Sequence, residues 1–300
     1  MAYLTLFSAP KPFRDPHIRT IQRNAIRSWL ALGSEVEVFL VGEEAGMAET
    51  AAEFGVKHLP DVARNEHGTP LVSSIFEAAR AASQSDLLCY LNADILTLPG
   101  FVASVRAAAA QTPDFLIVGR RWDLDVRREL DFSTGWEARL RQELETAGSL
   151  HRAAGSDYFV FPRRLFAEMP LFAIGRAGWD NWMIYQARAR SWPVVDATPD
   201  IQIVHQNHDY SHLPGGQPHY DLAETHENMA LAGGALRMYT VLDTDYELRG
   251  GKLRRPRPTL LRFLRRAELY FTPVDGKRRG RRWAVARQFR RLRRRLTGSL

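Results

Sequence analysis

Three hundred residues make one large domain or two small ones, and 45% hydrophobic with 25% charged residues is the balance of a globular chain with a sizeable core. No stretch approaches the roughly 20 consecutive apolar residues that span a bilayer, and a single cysteine, Cys89, excludes an internal disulfide framework. The net charge of +7 is uneven: residues 249–300 carry 19 Lys and Arg against two acids, whereas residues 1–248 carry 22 basic and 32 acidic side chains. This pattern predicts a mildly acidic globule followed by a strongly basic tail. The N-terminal MAYLTLFSAPKPF lacks the basic start and long apolar run of a signal peptide, so the expected location is cytoplasmic.

In chain order, YLTLFS (3–8) reads as a buried strand closed by Ala9-Pro10. Residues 17–32 read as an amphipathic helix with Ile18, Ile21, Ala25 and Trp29 at helical spacing. EVEVFLV (35–41) is a second strand, an alanine-rich helix covers 45–54, and a short strand covers 56–59. A helix over 70–82, a strand over 87–91 that buries Cys89, a helix over 101–110 and a strand over 115–118 follow. Such alternation predicts a mostly parallel sheet flanked by helices, with ligands beyond the carboxyl ends of the strands. From 120 to 240 the pattern loosens into a strand at 158–161, a helix at 181–189 and a strand at 201–205. Arg249-Gly250-Gly251 reads as the linker to the basic tail.

Four stretches carry chemistry. LLCYLNADI (87–95) ends an apolar strand on Asn92 and Asp94, two oxygen-bearing side chains one residue apart. Such a pair suits Mg²⁺ or Mn²⁺, which prefer oxygen ligands and leave room for diphosphate oxygens; an Asx turn is the structural alternative. On the metal reading, Asn92→Asp should keep or strengthen metal binding. GWDNWMIYQA (178–187) puts Asp180 at a helix entrance, as a general base or as a helix cap. Trp179 and Trp182 beside it are candidate stacking faces for a sugar. Five histidines, His205, His208, His212, His219 and His226, crowd one segment at a strand end, where a metal or phosphate contact is expected of His205 or His208. Lastly, Asp157 in GSDYFVF (155–161) and Arg121 and Trp122 in GRRWDLD (119–125) are candidates for acceptor recognition, with turns and surface ion pairs as alternatives.

With these pieces in order, residues 1–245 resemble the GT-A glycosyltransferases, particularly bacterial family 2-like proteins. The resemblance rests on the first strand and its SAP turn, on Glu43 and Glu44 after the second strand, and on ARNEHGTPLVSSIFEAA (63–79), LCYLNADI and GWDN in that order. It implies a Rossmann-like α/β domain over 1–248, with a nucleotide-sugar half (1–118), an acceptor half (119–248) and Mn²⁺ or Mg²⁺ between them. Carried over by position, Ser8 and Pro10 approach the nucleotide base, Glu43 the base or ribose, and Arg64 and Ser73 the diphosphate-sugar. Asn92 is a further donor contact, Asp94 a metal ligand and Asp180 the base. His205 is similar to a late metal-binding histidine of some members, and His208 is its substitute. Asn-Ala-Asp stands where the family commonly has Asp-x-Asp, and Trp-Asp where it commonly has Glu-Asp. The implied activity is transfer of a sugar from a nucleotide-diphosphate donor to an acceptor hydroxyl with inversion, in bacterial surface glycan synthesis on a glycan or lipid-linked acceptor.

Two other classes compete. A sugar-phosphate nucleotidyltransferase uses a related sheet but needs a glycine-rich basic loop after the first strand, and SAPKPFRD has no glycine. A non-catalytic surface-binding protein is suggested by the tail. RRWAVARQFRRLRRRL (281–296) sets Trp283, Ala286, Phe289, Leu292 and Leu296 on one helical face among arginines. Such helices bind anionic lipid or nucleic acid, and the apolar anchors favour the inner membrane face over nucleic acid.

Overall fold

The computed structural model describes residues 2–154, 156–208, 222–273 and 279–297. His212 and His219 of the histidine-rich stretch, and Gly155, lie outside the described residues. The N-terminal half alternates as its hydrophobic periods require: β1 (Leu4–Ser8), α1 (Pro16–Leu30), β2 (Val36–Val41), α2 (Met47–Phe54), β3 (Lys57–Leu59), α3 (Val72–Ala82), β4 (Leu87–Leu91), β5 (Ile95–Thr97), α4 (Phe101–Ala109) and β6 (Leu116–Val118). The Asp15 carboxylate accepts the Ile18 N–H at 2.8 Å and Pro16 opens the first turn, which together set the start of α1. Its buried stripe of Ile18, Ile21, Ala25 and Trp29 then faces the sheet.

The second half adds β7 (Trp122–Leu124), α5 (Trp136–Ala147), β8 (Ser149–Leu150), β9 (Tyr158–Pro162), α6 (Trp179–Ala189), β10 (Val194–Asp196), β11 (Ile203–Gln206), α7 (Ala223–Leu231), β12 (Tyr246–Arg249), β13 (Lys252–Arg254), α8 (Leu260–Phe271) and α9 (Gly280–Leu296). Nine strands form the main sheet in the order β13-β12-β10-β6-β9-β4-β1-β2-β3. Its neighbours are parallel except around β9, which is antiparallel to β4 and β6, and at β13 on the edge. One core lies under α1, α2 and α4, and the other under α3 and α6. Cys89 is a fully buried part of the first. No helix among the described residues is long and apolar enough to cross a membrane.

A second sheet, β5-β11-β7-β8, stands at the carboxyl edge of β4. Its strands have only two to four residues, so no hydrophobic period marks them in the sequence. Pairing sets His205 opposite Ile95 on one side and opposite Asp123 on the other. This register brings Asp94, Asp123 and His205 together from three distant segments.

The C-terminal segment departs from expectation. Arg249-Gly250-Gly251 is not a linker but the turn of the β12–β13 hairpin: Gly250 and Gly251 take φ of 58° and 70°, and Asp200 accepts both of their N–H groups at 2.9 and 2.7 Å. Beyond it, α8 is bound to the domain by buried charge. Arg262 donates to the Leu242 carbonyl at 2.9 Å and lies 3.3 Å from Glu247, and Arg265 grips Asp243 at 3.0 Å. Glu268, 1% exposed, joins Arg290 at 2.7 Å and Arg293 at 2.9 Å, tying α9 to α8. The apolar face of α9 expected to meet lipid is partly used in this packing: Ala286 is buried and Phe289 stacks on Phe271 at 5.9 Å. Only Leu292 and Leu296 of that face remain exposed.

Candidate active site

The carboxyl ends of β1, β2 and β4 share one edge of the sheet, because these strands run parallel. At the end of β4 the chain turns through Asn92-Ala93-Asp94 into β5. The buried Gln206 side chain holds that turn: its amide donates to the Asp94 carbonyl at 3.1 Å and to the Ile21 carbonyl at 2.8 Å. Asn24 donates to the Gln206 side-chain oxygen at 3.0 Å, so α1, β11 and the Asp94 turn form one polar joint.

Asp94, His205 and His208 offer ligand atoms that all lie within 4.8 Å of one another. Asp94 Oδ2 is 3.0 Å from His208 Nε2 and 3.9 Å from His205 Nε2. Burial alone would push the Asp94 carboxyl up, but His205, His208 and Lys11 outweigh it and hold it well below the usual carboxylate range. Asp94 Oδ1 is buried with no hydrogen-bond partner among the described residues, and such an orphan oxygen costs about 1–3 kcal/mol or more unless something else satisfies it. A carboxylate with two imidazoles and an unused oxygen fits a divalent first-row cation such as Mn²⁺.

Asp123 stands behind this group. His205 Nδ1 lies 3.4 Å from Asp123 Oδ1, and His151 Nδ1 lies 2.6 Å from Oδ2. His205 Nδ1 also lies 3.2 Å from Asn207 Oδ1; with acceptors on the Nδ1 side, a cation would take Nε2, the ring nitrogen that faces Asp94, as its ligand. Arg121 bridges Asp123 at 2.9 Å and Asp157 at 2.7 Å. Lys11 Nζ is 3.2 Å from His208 Nε2, and Gln22 fixes the Lys11 backbone by accepting its N–H at 2.7 Å and donating to its carbonyl at 2.9 Å. Lys11, Asp123 and His151 stand outside the sequence-level candidates.

Asp180 lies in the first turn of α6, where Gly178, at φ 117°, lets the chain turn sharply into the helix. Burial pushes its carboxyl up to about 6, against the backbone N–H groups of Asn181 and Gly178 and with a further push from the Asp157 charge. Gly178 holds the cap position of α6, and Asp180, in the first turn, accepts the Gly178 N–H at 3.2 Å. Asp157 is itself mostly buried: Oδ1 accepts from Asn92 at 2.8 Å and from Arg121, while Oδ2 is buried without a partner among the described residues.

Several expected contacts are corrected. Asn92 gives its amide N–H to Asp157 at 2.8 Å and its backbone N–H to the Asp157 carbonyl at 2.9 Å, so it anchors β4 to β9. Ser8 is fully buried and donates to the Leu91 carbonyl at 2.6 Å, and Pro10 is buried too, which removes both from direct contact with a nucleotide base. Trp179 is 5% exposed, with Phe76, Tyr90 and Phe159 packed around its ring, and Trp182 packs on Phe172; neither presents a face to a sugar. Trp122 alternates with Asp123 along β7 and so points to the other face, where it lines a separate cavity of about 290 Å³ with Leu98 and Pro99. Glu43 and Arg64, expected at different parts of a donor, lie together at 3.3 Å, and Arg64 also holds Glu44 at 2.9 Å. Ser73 is partly exposed in the first turn of α3.

No protein-family model matches the sequence, and no curated protein matches it. Among solved structures, glucosyl-3-phosphoglycerate synthase from Mycobacterium tuberculosis with Mn²⁺, UDP and glucosyl-3-phosphoglycerate aligns at a TM-score of 0.48 and 15% identity, over 78% of this chain and 81% of that one. A further structure of the same synthase aligns at 0.48 and 16%, over 78% and 82%. A mycobacterial protein aligns at 0.46 and 17%, over 78% and 76%. At this identity no residue-by-residue correspondence follows.

Proposed function

We propose that this chain is a metal-dependent glycosyltransferase that moves a sugar from a nucleoside-diphosphate donor to an acceptor hydroxyl. The observation that carries the reading is the Asp94, His205 and His208 cluster at the carboxyl edge of a nearly parallel sheet, with an orphaned Asp94 oxygen and with Asp123 orienting His205. Mn²⁺ or Mg²⁺ held there would supply positive charge to the departing diphosphate. Lys11 adds a fixed ammonium on the same side and suits the diphosphate oxygens. Arg64, Glu43 and Ser73 are assigned to the outer, nucleotide end of the donor site.

Asp180 is assigned the general base. A carboxyl raised to about 6 is ionised near neutrality yet basic enough to take the acceptor proton. In the balanced step, the acceptor oxygen bonds to the anomeric carbon as the bond to the diphosphate oxygen breaks. The acceptor proton goes to Asp180 and the nucleoside diphosphate leaves with the bonding pair. Attack from the face opposite the leaving group predicts inversion. Asp157 Oδ2 is assigned an acceptor hydroxyl, with Arg121 holding Asp157 in place.

We further propose that the chain acts in the cytoplasm, on the inner membrane face, in surface glycan synthesis. Its lipid-facing side is assigned to Leu260, Phe263 and Tyr270, which are exposed at helical spacing on α8, in place of the packed face of α9. Flotation with anionic vesicles tests it: Phe263→Ser should reduce vesicle binding, and equal flotation of both forms would reject it.

A thermal-shift screen of nucleotide sugars with and without Mn²⁺ tests the main reading. At least one nucleotide sugar should raise the melting temperature only when Mn²⁺ is present. No shift with any of them would overturn it.

A further inference from the structure

Neighbouring side chains on β7 point to opposite faces of the small sheet. Asp123 faces His205 and the candidate active site, and Trp122 faces away from it. On that second side Trp122 lines the cavity of about 290 Å³, a volume near the lower end for small-ligand sites. The cavity lies at the seam of two cores. Phe101 and Ile201 come from the core of the main sheet, and Leu98 from the core of the small one, against which Trp122 packs. Its apolar wall is therefore fixed by packing on both sides.

The polar wall is of a different kind. Arg141 on α5 donates to the Gln202 side-chain oxygen at 2.6 Å. That bond orients the Gln202 amide and leaves its N–H₂ and the other guanidinium nitrogens as planar donors. Asp200 is the single carboxylate of the lining, and its two oxygens already accept the Gly250 and Gly251 N–H groups at 2.9 and 2.7 Å. One guanidinium and one carboxylate leave the lining without net charge, which disfavours an anion. The lining also has no histidine or thiol to hold a transition metal. What remains is an indole, a rigid apolar wall and a set of planar donors.

We propose that this cavity is a second carbohydrate site, separate from the candidate active site, which takes one neutral pyranose unit against Trp122. The C–H face of the sugar lies on the indole, and its hydroxyls accept from Gln202 and Arg141. A β-glucopyranoside suits this arrangement, because its hydroxyls are equatorial and both ring faces carry only C–H. The unit belongs either to a free sugar or to a glycan chain, and the chemistry of recognition is the same. The proposal does not need the transferase reading, since the two sites occupy opposite faces of β7.

Saturation-transfer difference NMR on the full chain tests it with three probes: methyl β-D-glucopyranoside, cellotriose and, as the acyclic control, D-glucitol. At least one of the two sugars should receive transfer and glucitol should not. Tighter binding of cellotriose assigns the site to a glycan chain, and equal affinity assigns it to a single unit. Trp122→Ala should weaken the bound sugar by about 10-fold or more. Arg141→Ala changes an exposed side chain and should weaken it by about 3-fold or more, the scale of one lost hydrogen bond. The melting temperature of each variant checks its folding, and Arg141→Ala decides alone if Trp122→Ala does not fold. No transfer to either sugar, equal transfer to glucitol, or unchanged affinity in the deciding variant overturns the proposal. The Mn²⁺-dependent nucleotide-sugar screen reports on the other face of β7, so either reading can fail while the other stands.

Discussion

Asn92 and Asp180 show how much a single side chain's role depends on what faces it. At Asn92 the sequence pattern favours replacement by Asp, since two aspartates one residue apart suit a cation. The Asn92 amide, however, donates to Asp157 at 2.8 Å, a bond that an aspartate could not make. Asn92→Asp would set two carboxylates against each other in a mostly buried place, and the variant should melt several degrees lower and gain no Mn²⁺ affinity. Differential scanning calorimetry and a Mn²⁺ titration check both halves. Asp180 makes an opposite demand on stability and activity. Its folded-state pKa of about 6 lies above the ordinary 3.8, so its contribution to stability is present below about pH 4 and is lost as pH rises through 6. Asp180→Asn should therefore melt above wild type at pH 7.5, by an amount on the order of 1–3 kcal/mol, and converge with it below about pH 4. The same variant should lose about 10²–10⁴-fold in turnover, and wild-type turnover should fall with acid through pH 6 as the base is protonated. Normal turnover in the variant would remove Asp180 from the reaction.

At the scale of elements, the long periodic segments were legible and the short ones were not. The strand over 87–91 and the helix around Ile18, Ile21, Ala25 and Trp29 follow their patterns because burial on one face or two dictates them. The strands β5, β7, β8 and β11 have two to four residues, too few for a period to show, and they build the sheet that supports the Asp94, His205 and His208 cluster. So Asp94, His205 and His208 could be named from the sequence, whereas Asp123 and His151 could not, since their role comes from strand pairing across distant segments. The aromatic residues misled for a related reason: Trp179 has the composition of a sugar platform, but the same composition serves the core beneath α6. In the basic segment, counting charge hid the acids that organise it. Glu268 is 1% exposed among Arg265, Arg290 and Arg293. Glu268→Gln would leave those arginines without their common carboxylate, at a cost of about 3 kcal/mol. The melting temperature should drop by roughly 5 °C or more, with faster proteolysis of the α8–α9 hairpin; unchanged melting would show that the hairpin is held by its apolar contacts alone.

The whole molecule is a nearly parallel sheet whose carboxyl edge carries a cation-type cluster, with a second small sheet and a charge-locked C-terminal hairpin gathered beside it. Most depends on whether Asp94, His205 and His208 hold a divalent cation. Titration of the full chain with Mn²⁺ alone, followed by the loss of the free-ion electron paramagnetic resonance signal, tests it directly. One tight site per chain is predicted in wild type, reduced at least about 10-fold in Asp94→Ala and in His205→Ala and less strongly in Asp123→Asn, which disturbs only the orientation of His205. Equal Mn²⁺ binding by wild type and Asp94→Ala, or no binding by wild type, would contradict the account.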